Sequence, residues 1–476
     1  MSGRKIAVCV VFVSMLAGSA IHAQECQVGI ALKGDNFDLS SGATPQRVRP
    51  WVAFNSADDE YMAVWLDSRN PHNNDIFGQR VSGEGALVGD NFPVIEYPES
   101  QGNPSIAYNS ADNEFLVAWQ TQHPGAFNHG WGRLVAADGS VIGDQFFVSN
   151  GGMECSLTYN STANEYMYEG RNFAGGGLAG IRGQRVTADG NLVGPNITIS
   201  SSGAPAGQVA YNSASNRYLG TWRDQSVRDL RGLLLSAQGT PIGGVIIIST
   251  TFPASGRAAS VAVDTENDRY LVVFGLFQDE DILGQFVSGD GQLIGDNFPI
   301  VTNLSSRVVP FVAYDDAHRA YVVVWQEGSE ISAQLVLSDG TVSGDPVIAS
   351  SGTVSGNPRL AFNSTRREFL LVWADNRNTG QGEQDIYGQL IELSPERIKR
   401  AKCKDKNGSN KLKVKLADGV EGDRFTVELS NGEKKKGKVK SGGKGKARFK
   451  EMPAGPGEAT AVWDCGGWDR KSYNCP

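Results

Sequence analysis

Short runs of alternating or wholly apolar residues, four to nine long and broken by Gly, Asn, Asp and Ser, fill the chain from about residue 30 onward. No stretch repeats apolar positions with a period near 3.6, so the pattern predicts strands throughout. The runs recur. Ala53-Phe54-Asn55 has counterparts at Ala107-Tyr108-Asn109, Thr158-Tyr159-Asn160, Ala210-Tyr211-Asn212, Ala262-Val263-Asp264, Ala313-Tyr314-Asp315 and Ala361-Phe362-Asn363. The Asn or Asp positions are spaced 54, 51, 52, 52, 51 and 48 residues apart. Six residues after each stands Tyr61, Phe115, Tyr166, Tyr218, Tyr270, Tyr321 or Phe369. Four further on stands an indole or phenyl ring in every copy except the third, which has Gly170.

Each unit reads as four strands. A short apolar strand ends on the Asn or Asp, whose side chain can bond its own backbone two residues on and begin a turn. A second strand runs to the Trp, a variable loop follows, and a third strand carries Gly-Gln, as in Asp75-Ile76-Phe77-Gly78-Gln79. A turn at Gly85, Gly139, Gly190, Gly239, Gly291 or Gly340 leads to the fourth strand. Four strands in about 50 residues is the pattern of a propeller blade. The seventh copy stops at Asp385-Ile386-Tyr387-Gly388-Gln389-Leu390 without a fourth strand. Gly34-Asp35-Asn36-Phe37 repeats Gly89-Asp90-Asn91-Phe92 and Gly295-Asp296-Asn297-Phe298. The N-terminal segment should therefore supply the missing strand, closing the ring and leaving no free edge.

The repeats Trp65-Leu66-Asp67-Ser68-Arg69 with Asp75-Ile76-Phe77-Gly78-Gln79, and Trp373-Ala374-Asp375-Asn376-Arg377 with Asp385-Ile386-Tyr387-Gly388-Gln389, resemble those of exported bacterial β-propeller proteins. They are more loosely similar to TolB-type propeller repeats. The similarity covers about residues 27–393. It implies an all-β, seven-bladed propeller and an exported location, and it implies no reaction, because such scaffolds carry many functions.

Charge changes the picture at the C-terminal end. The whole chain has 44 Lys and Arg against 52 Asp and Glu, a net charge of −8. Residues 396–476 hold 21 basic and 11 acidic side chains, a surplus of ten positive charges, and 16 of the bases are Lys. Between Gln24 and Ser394 Lys33 is the only lysine. The shift marks a domain boundary, giving a propeller over 24–395 and a Lys-rich domain over 396–476. In that domain Lys411–Leu416, Arg424–Leu429, Lys434–Lys440, Lys444–Phe449 and Ala459–Trp463 alternate with turns and predict a small β-sandwich of five to seven strands. Its lysines alternate with apolar residues, so they lie on a solvated face. They serve solubility or a cationic patch for an anionic surface such as a polysaccharide. The N-terminus has Arg4 and Lys5, then an apolar run from Ile6 to Leu16, then small residues up to Ala23. This predicts a signal peptide over 1–23 and a secreted or periplasmic protein.

Candidate chemistry is sparse. No serine nucleophile elbow, phosphate-cradling loop, Cys-x-x-Cys or His-Glu-x-x-His is present, so the expectation is no catalytic residue, no metal and no cofactor. Of the mature cysteines, Cys26, Cys403, Cys465 and Cys475 are expected to bridge. The favoured pairing is Cys26–Cys403 with Cys465–Cys475, over Cys403–Cys465 or Cys403–Cys475, and Cys155 is expected to stay a thiol. Loops between second and third strands share one face, and those of units seven, one, two and three are the longest, so they should form a raised half-rim beside a cleft. Candidate ligand residues there are Asp67, Arg69 and His72 in the first unit and Gln122, His123, His129 and Trp131 in the second. Arg171 and Asn172 in the third and Asp375 and Arg377 in the seventh complete the set. For the Asp–Arg pairs, ion pairs that tie down the loops compete with a ligand role, and the Trp row is expected as core between blades. The leading functional expectation is a non-catalytic binding or adhesion scaffold for an extracellular glycan or protein. The alternative is a polysaccharide lyase or hydrolase working on the same face. Nucleic acid and a membrane span are not expected.

Overall fold

The computed structural model describes residues 29–40, 47–70, 72–122, 128–174, 177–201, 206–250, 259–276, 281–305, 308–352, 354–377, 384–393, 397–405, 408–417, 424–463 and 468–476. All regular structure within them is β. No helix there is long and apolar enough to cross a membrane. The signal segment, Cys26, His123 and Cys465 lie outside the described residues.

From residue 30 to residue 393 the strands form seven four-stranded antiparallel sheets. Six are consecutive in the chain, spanning 47–95, 100–149, 153–200, 206–249, 260–301 and 311–351. The seventh joins Val354–Asn363, Glu368–Asp375 and Asp385–Leu393 to the N-terminal strand Ile30–Asp38, which pairs with Asp385–Leu393. The first strands pack on one another in chain order, and Val354–Asn363 packs on Arg47–Asn55. An all-β chain of such sheets is consistent with a propeller.

The repeat motifs have local causes. Asn55 Oδ1 accepts the Ala57 and Asp58 backbone N–H groups at 2.9 and 3.1 Å, and Asn109, Asn160 and Asn363 repeat this turn. The same side chains reach the neighbouring sheet. Asn109 Nδ2 donates to Asn164 Oδ1 at 2.9 Å, and Asn363 Nδ2 donates to Asp59 Oδ1 at 2.9 Å, which ties sheet seven to sheet one. The Gly-Gln pair works on the outer edge. Gln79 Nε2 donates to the Arg80, Val88 and Gly89 carbonyls at 2.9 to 3.2 Å, and Asn91 Nδ2 donates to Gln79 Oε1 at 2.5 Å. In sheet seven Gln389 makes the same bonds to Lys33 and Gly34 of the N-terminal strand, with Asn36 in the place of Asn91. A Cβ on Gly78 would lie 2.7 Å from the Phe92 ring, so only glycine lets the fourth strand close down.

Buried apolar side chains fill the spaces between sheets, with Trp65, Trp119, Trp222, Trp325 and Trp373 among the largest fully buried residues. The break at Gly170 has a steric reason. A Cβ there would meet the Gly151 carbonyl oxygen at 2.2 Å, because Tyr168 fills the space and donates its hydroxyl to that carbonyl at 2.6 Å.

One carboxylate has lost its partner. Glu60 and Glu165 begin second strands and pair with Arg80 and Arg185 at 2.8 and 2.7 Å. Glu114 occupies the same place in sheet two, but its cross-strand neighbourhood holds Leu134 where the others have arginine. Burial, then Asp112 and Asp189, push its carboxyl up to about 7. A raised carboxyl means the unfolded chain ionises first, so the native state loses stability as pH rises from about 4.5 to about 7. Glu114→Gln should stabilise the protein by about 1 kcal/mol at pH 8, allowing for solvent screening at a half-buried group, and by nothing at pH 4. Urea melts at the two pH values check this. Equal effects at both would remove the ionisation account.

Residues 397–475 form a three-stranded sheet, Arg397–Asp405, Asn410–Ala417 and Gly445–Phe449, and a four-stranded one, Lys434–Lys438, Arg424–Leu429, Gly455–Trp463 and Trp468–Cys475. Leu412, Val414, Phe425, Val427, Phe449 and Trp463 are buried in a common core. The favoured cysteine pairing is corrected here. Cys403 bonds Cys475, with Cα atoms 5.0 Å apart. The reason is that the module's first and last strands pack together, which brings Cys403 and Cys475 within bonding distance. Cys155 remains a buried thiol whose Sγ donates to the Asn103 carbonyl at 2.8 Å.

Candidate functional site at the hub of the sheets

The first strands begin with a slipped register at equivalent places. The pairing shifts between Val48 and Trp51, Gly102 and Ser105, Met153 and Ser156, Ala206 and Val209, and Gly356 and Arg359. Inside four of these bulges a side-chain-bearing residue sits in the left-handed region: Arg49 (φ 57°), Asn103 (φ 48°), Glu154 (φ 53°) and Asn357 (φ 59°). Asparagine tolerates that conformation, but arginine and glutamate each hold about 1 kcal/mol or more of strain. Bulges re-aim side chains, and here they aim four polar ones at one place.

That place is a cavity of about 400 Å³ lined by the bulge residues, Trp51, Met153, Val308, Val309, Gln326, Pro358 and Arg359. Its floor is aromatic and cationic. The Arg359 guanidinium lies 5.0 Å from the Trp51 ring centre and 5.1 Å from that of Phe311, and the two rings meet edge to face at 5.7 Å. Below it the strands are laced together: Ser105, Ser156 and Ser260 hydroxyls accept the Leu157, Val209 and Val312 N–H groups of the next sheet at 3.0 to 3.3 Å, and Gln208 Oε1 accepts that of Val261 at 2.9 Å. The floor is therefore rigid and the mouth polar.

The local field favours an anion. Arg49 Nη1 donates to Asn103 Oδ1, and Asn103 Nδ2 donates to Gln120 Oε1 at 2.7 Å. Glu154 is the one carboxylate among the described lining residues, and it is already engaged. It accepts the Ala206 N–H at 3.1 Å and lies 3.8 Å from Arg171. Arg223 is buried close by. Burial pulls its guanidinium below the ordinary value, with Glu154 opposing and Arg171 adding to the shift. Two guanidinium groups, those of Arg49 and Arg359, thus line the cavity, and two more, those of Arg171 and Arg223, act on its single carboxylate. This arrangement can hold an acidic or polyhydroxylated group by charge-assisted hydrogen bonds.

Of the sequence candidates, Arg171 reaches this hub through Glu154. Asp67 is fully buried, accepting Trp65 Nε1 at 3.0 Å and Arg69 Nη2 at 2.7 Å, and Asp375 repeats this with Trp373 at 2.9 Å and Arg377 at 2.6 Å. Arg69 covers the Phe77 ring at 3.6 Å, and Arg377 covers that of Tyr387 at 4.3 Å. His72 is exposed. His129 and Trp131 pack edge-on to Phe147, a fourth-strand residue, at 5.6 and 6.0 Å. Gln122 ends a second strand opposite Ser100. Asn172 Oδ1 is buried without a hydrogen-bond partner. Asp67 and Asp375 are linked at the junction of sheets one and seven, where Arg47 bonds both Asp67 and Asp385, the cross-strand partner of Asp375. Arg49, Asn103, Glu154 and Asn357 were missed, although each stands six residues before the turn Asn of its repeat.

No protein-family profile matches the sequence, and no curated protein matches it. Solved structures are similar to it, and two of them serve as examples. One is a protein of unknown function from Dyadobacter fermentans DSM 18053, 12% identical, with a TM-score of 0.50, over 77% of this chain and 100% of that one. The other is the hydrazine synthase of Kuenenia stuttgartiensis, 8% identical, with a TM-score of 0.50, over 73% of this chain and 97% of that one. The likeness is one of fold. At these identities it says nothing about chemistry.

Proposed function

We propose that the chain is an exported, non-catalytic binding scaffold that recognises an extracellular glycan or protein through the hub cavity. Residues 1–23 form a signal peptide and residues 24–395 a seven-bladed β-propeller closed by its N-terminal strand. Residues 396–476 form a Lys-rich β-sandwich, and the protein works in the periplasm or outside the cell. The cyclic packing of the first strands supports the closed ring. The Cys403–Cys475 disulfide is compatible with an oxidising compartment. The observation that carries the binding reading is the ring of strained bulge residues around the cavity, since strain persists where a site uses it. The arginines favour a ligand bearing carboxylates, such as a uronic or sialic acid unit of a glycan.

Glycine is at ease in the left-handed region, so Arg49→Gly with Asn357→Gly removes two ligand-facing side chains while easing the backbone. The double variant should melt no lower than the parent and should bind acidic glycans on an array at least tenfold more weakly. Reducing-end and unsaturated-product assays on the bound glycans should stay at baseline. Undiminished binding would move the site off the hub, and product release would make the protein an enzyme.

A further inference from the structure

The outer face of the three-stranded sheet in the C-terminal module carries a grid of bases. Along Arg397–Asp405 it presents Arg400, Lys402 and Lys404, and along Asn410–Ala417 it presents Lys411, Lys413 and Lys415. Gly445–Phe449 and the next residue add Lys446, Arg448 and Lys450. The register puts Arg400 opposite Lys415, Lys402 opposite Lys413 and Lys404 opposite Lys411, with Arg448 beside Lys413 and Lys446 beside Lys415 on the other side. The residues between them, Cys403, Leu412, Val414, Leu416, Ala447 and Phe449, are buried. Eight of the nine bases are exposed, and central Lys413 is half-buried among the rest. Like charges directly opposite on a sheet destabilise it, and this sheet repeats them at every same-face pair.

Among the described residues no carboxylate forms an ion pair with any of the nine. Lys415 first, then partial burial and Lys446, pull the Lys413 ammonium below its ordinary value. The module's other sheet differs, since there Lys434 pairs with Glu428 at 2.9 Å. A solubility surface intersperses both signs, and this face does not. Over the grid lies a basin of about 500 Å³, lined by every one of these bases except Lys446, together with Leu412 and Phe449.

We propose that this face is a binding site for a linear acidic polysaccharide, with its carboxylates laid across the three rows of bases. Strands about 4.8 Å apart and same-face residues about 6.8 Å apart make a flat lattice of point charges. Seven of the nine are Lys, which suits spaced carboxylates, whereas phosphate recognition favours the bidentate fork of Arg. Single-stranded nucleic acid calls for aromatic rings to stack on, and the ring beneath the basin, Phe449, is buried. A bilayer calls for exposed apolar side chains that insert, and the described residues between the bases are turned into the core.

The test uses the full chain carrying Arg49→Gly and Asn357→Gly, so that the hub cavity does not contribute, and polygalacturonate as probe, titrated by calorimetry at several salt concentrations. Lys402→Gln, Lys413→Gln and Arg448→Gln together should weaken binding at least tenfold and flatten its salt dependence, because each lost contact releases fewer counterions. Melting should be unchanged or higher, since repulsion is relieved. The same three-charge change at Lys434, Lys436 and Lys438 on the other sheet should leave binding unchanged. An equal loss from that control triple, absence of polygalacturonate binding, or tighter binding to phosphatidylserine vesicles or single-stranded DNA at equal salt would each overturn the proposal.

Discussion

A chain lacking residues 24–40 should fail to reach the native state, or should melt far below the full-length protein and aggregate on the way. The N-terminal strand Ile30–Asp38 is the outer strand of a sheet whose other three strands lie more than 300 residues later. It pairs with Asp385–Leu393, its Lys33 reaches Glu368 at 2.6 Å, and Asn36 reaches Gln389 at 2.6 Å. Leu39 is fully buried against Trp65 and Ile386, and its carbonyl accepts Asn91 Nδ2 of sheet one at 2.9 Å. Removing the strand bares the ladder edge of Asp385–Leu393 and the apolar floor beneath Leu39, a template for pairing between chains. A point variant grades the effect. Leu39→Ala should cost about 2 to 5 kcal/mol in urea melts, as for any fully buried leucine whose site cannot collapse. A truncated protein that melts like its parent would show that the seven sheets do not depend on this closure.

That strand pairing was legible in the sequence because the Gly-Asp-Asn-Phe signature meets its Gln within its own strand pair, although its Asn also reaches the neighbouring sheet. Asn36 and Gln389 meet in space as Asn91 and Gln79 do, so the repeat carried its partner with it. The turn Asn, the Trp row and the Gly-Gln pair were readable for the same reason. The hub was not. Arg49, Asn103, Glu154 and Asn357 come from four sheets and converge only because the bulges turn them inward, and a bulge leaves no mark in a period-two pattern. The ion pairs of Asp67 with Arg69 and of Asp375 with Arg377 were legible from the repeat itself, and they form. What the sequence did not show is the Trp indole, two residues before each carboxylate, that completes its bonding inside the fold. The cysteines show the same limit. Which of them meet depends on how the first and last strands of the C-terminal module pack, and spacing along the chain does not encode that. The basic grid lies between these cases. The alternation of Lys with apolar residues was visible, but only the register between strands stacks three rows into an unbroken field.

Replacing Arg47 with Met should cost about 3 to 5 kcal/mol at pH 7, the largest effect expected of a single charge in the molecule. Arg47 is buried at the start of the first strand of sheet one. Its Nε donates to Asp67 Oδ2 at 3.2 Å, its Nη1 pairs with Asp385 of sheet seven, and its backbone N–H meets the Gln384 carbonyl at 3.0 Å. The two carboxylates are themselves buried, so deleting the guanidinium strands negative charge away from water. Burial alone would raise the Asp67 carboxyl. Hydrogen bonds from Arg69 and Trp65 outweigh it and hold the group below its ordinary value. A depressed carboxyl contributes stability that is present above its unfolded value near 3.8 and is lost as pH falls through the lower folded value, so this knot should fail in acid. Arg47→Met with Asp385→Asn should recover part of the loss, because the second change removes the charge that the first left without its partner. The double-mutant cycle, read from urea melts at pH 7, separates this from simple loss of packing. A cost below about 1 kcal/mol for Arg47→Met, or no recovery in the double variant, would mean that the junction between sheets one and seven is held by the backbone and the N-terminal strand alone.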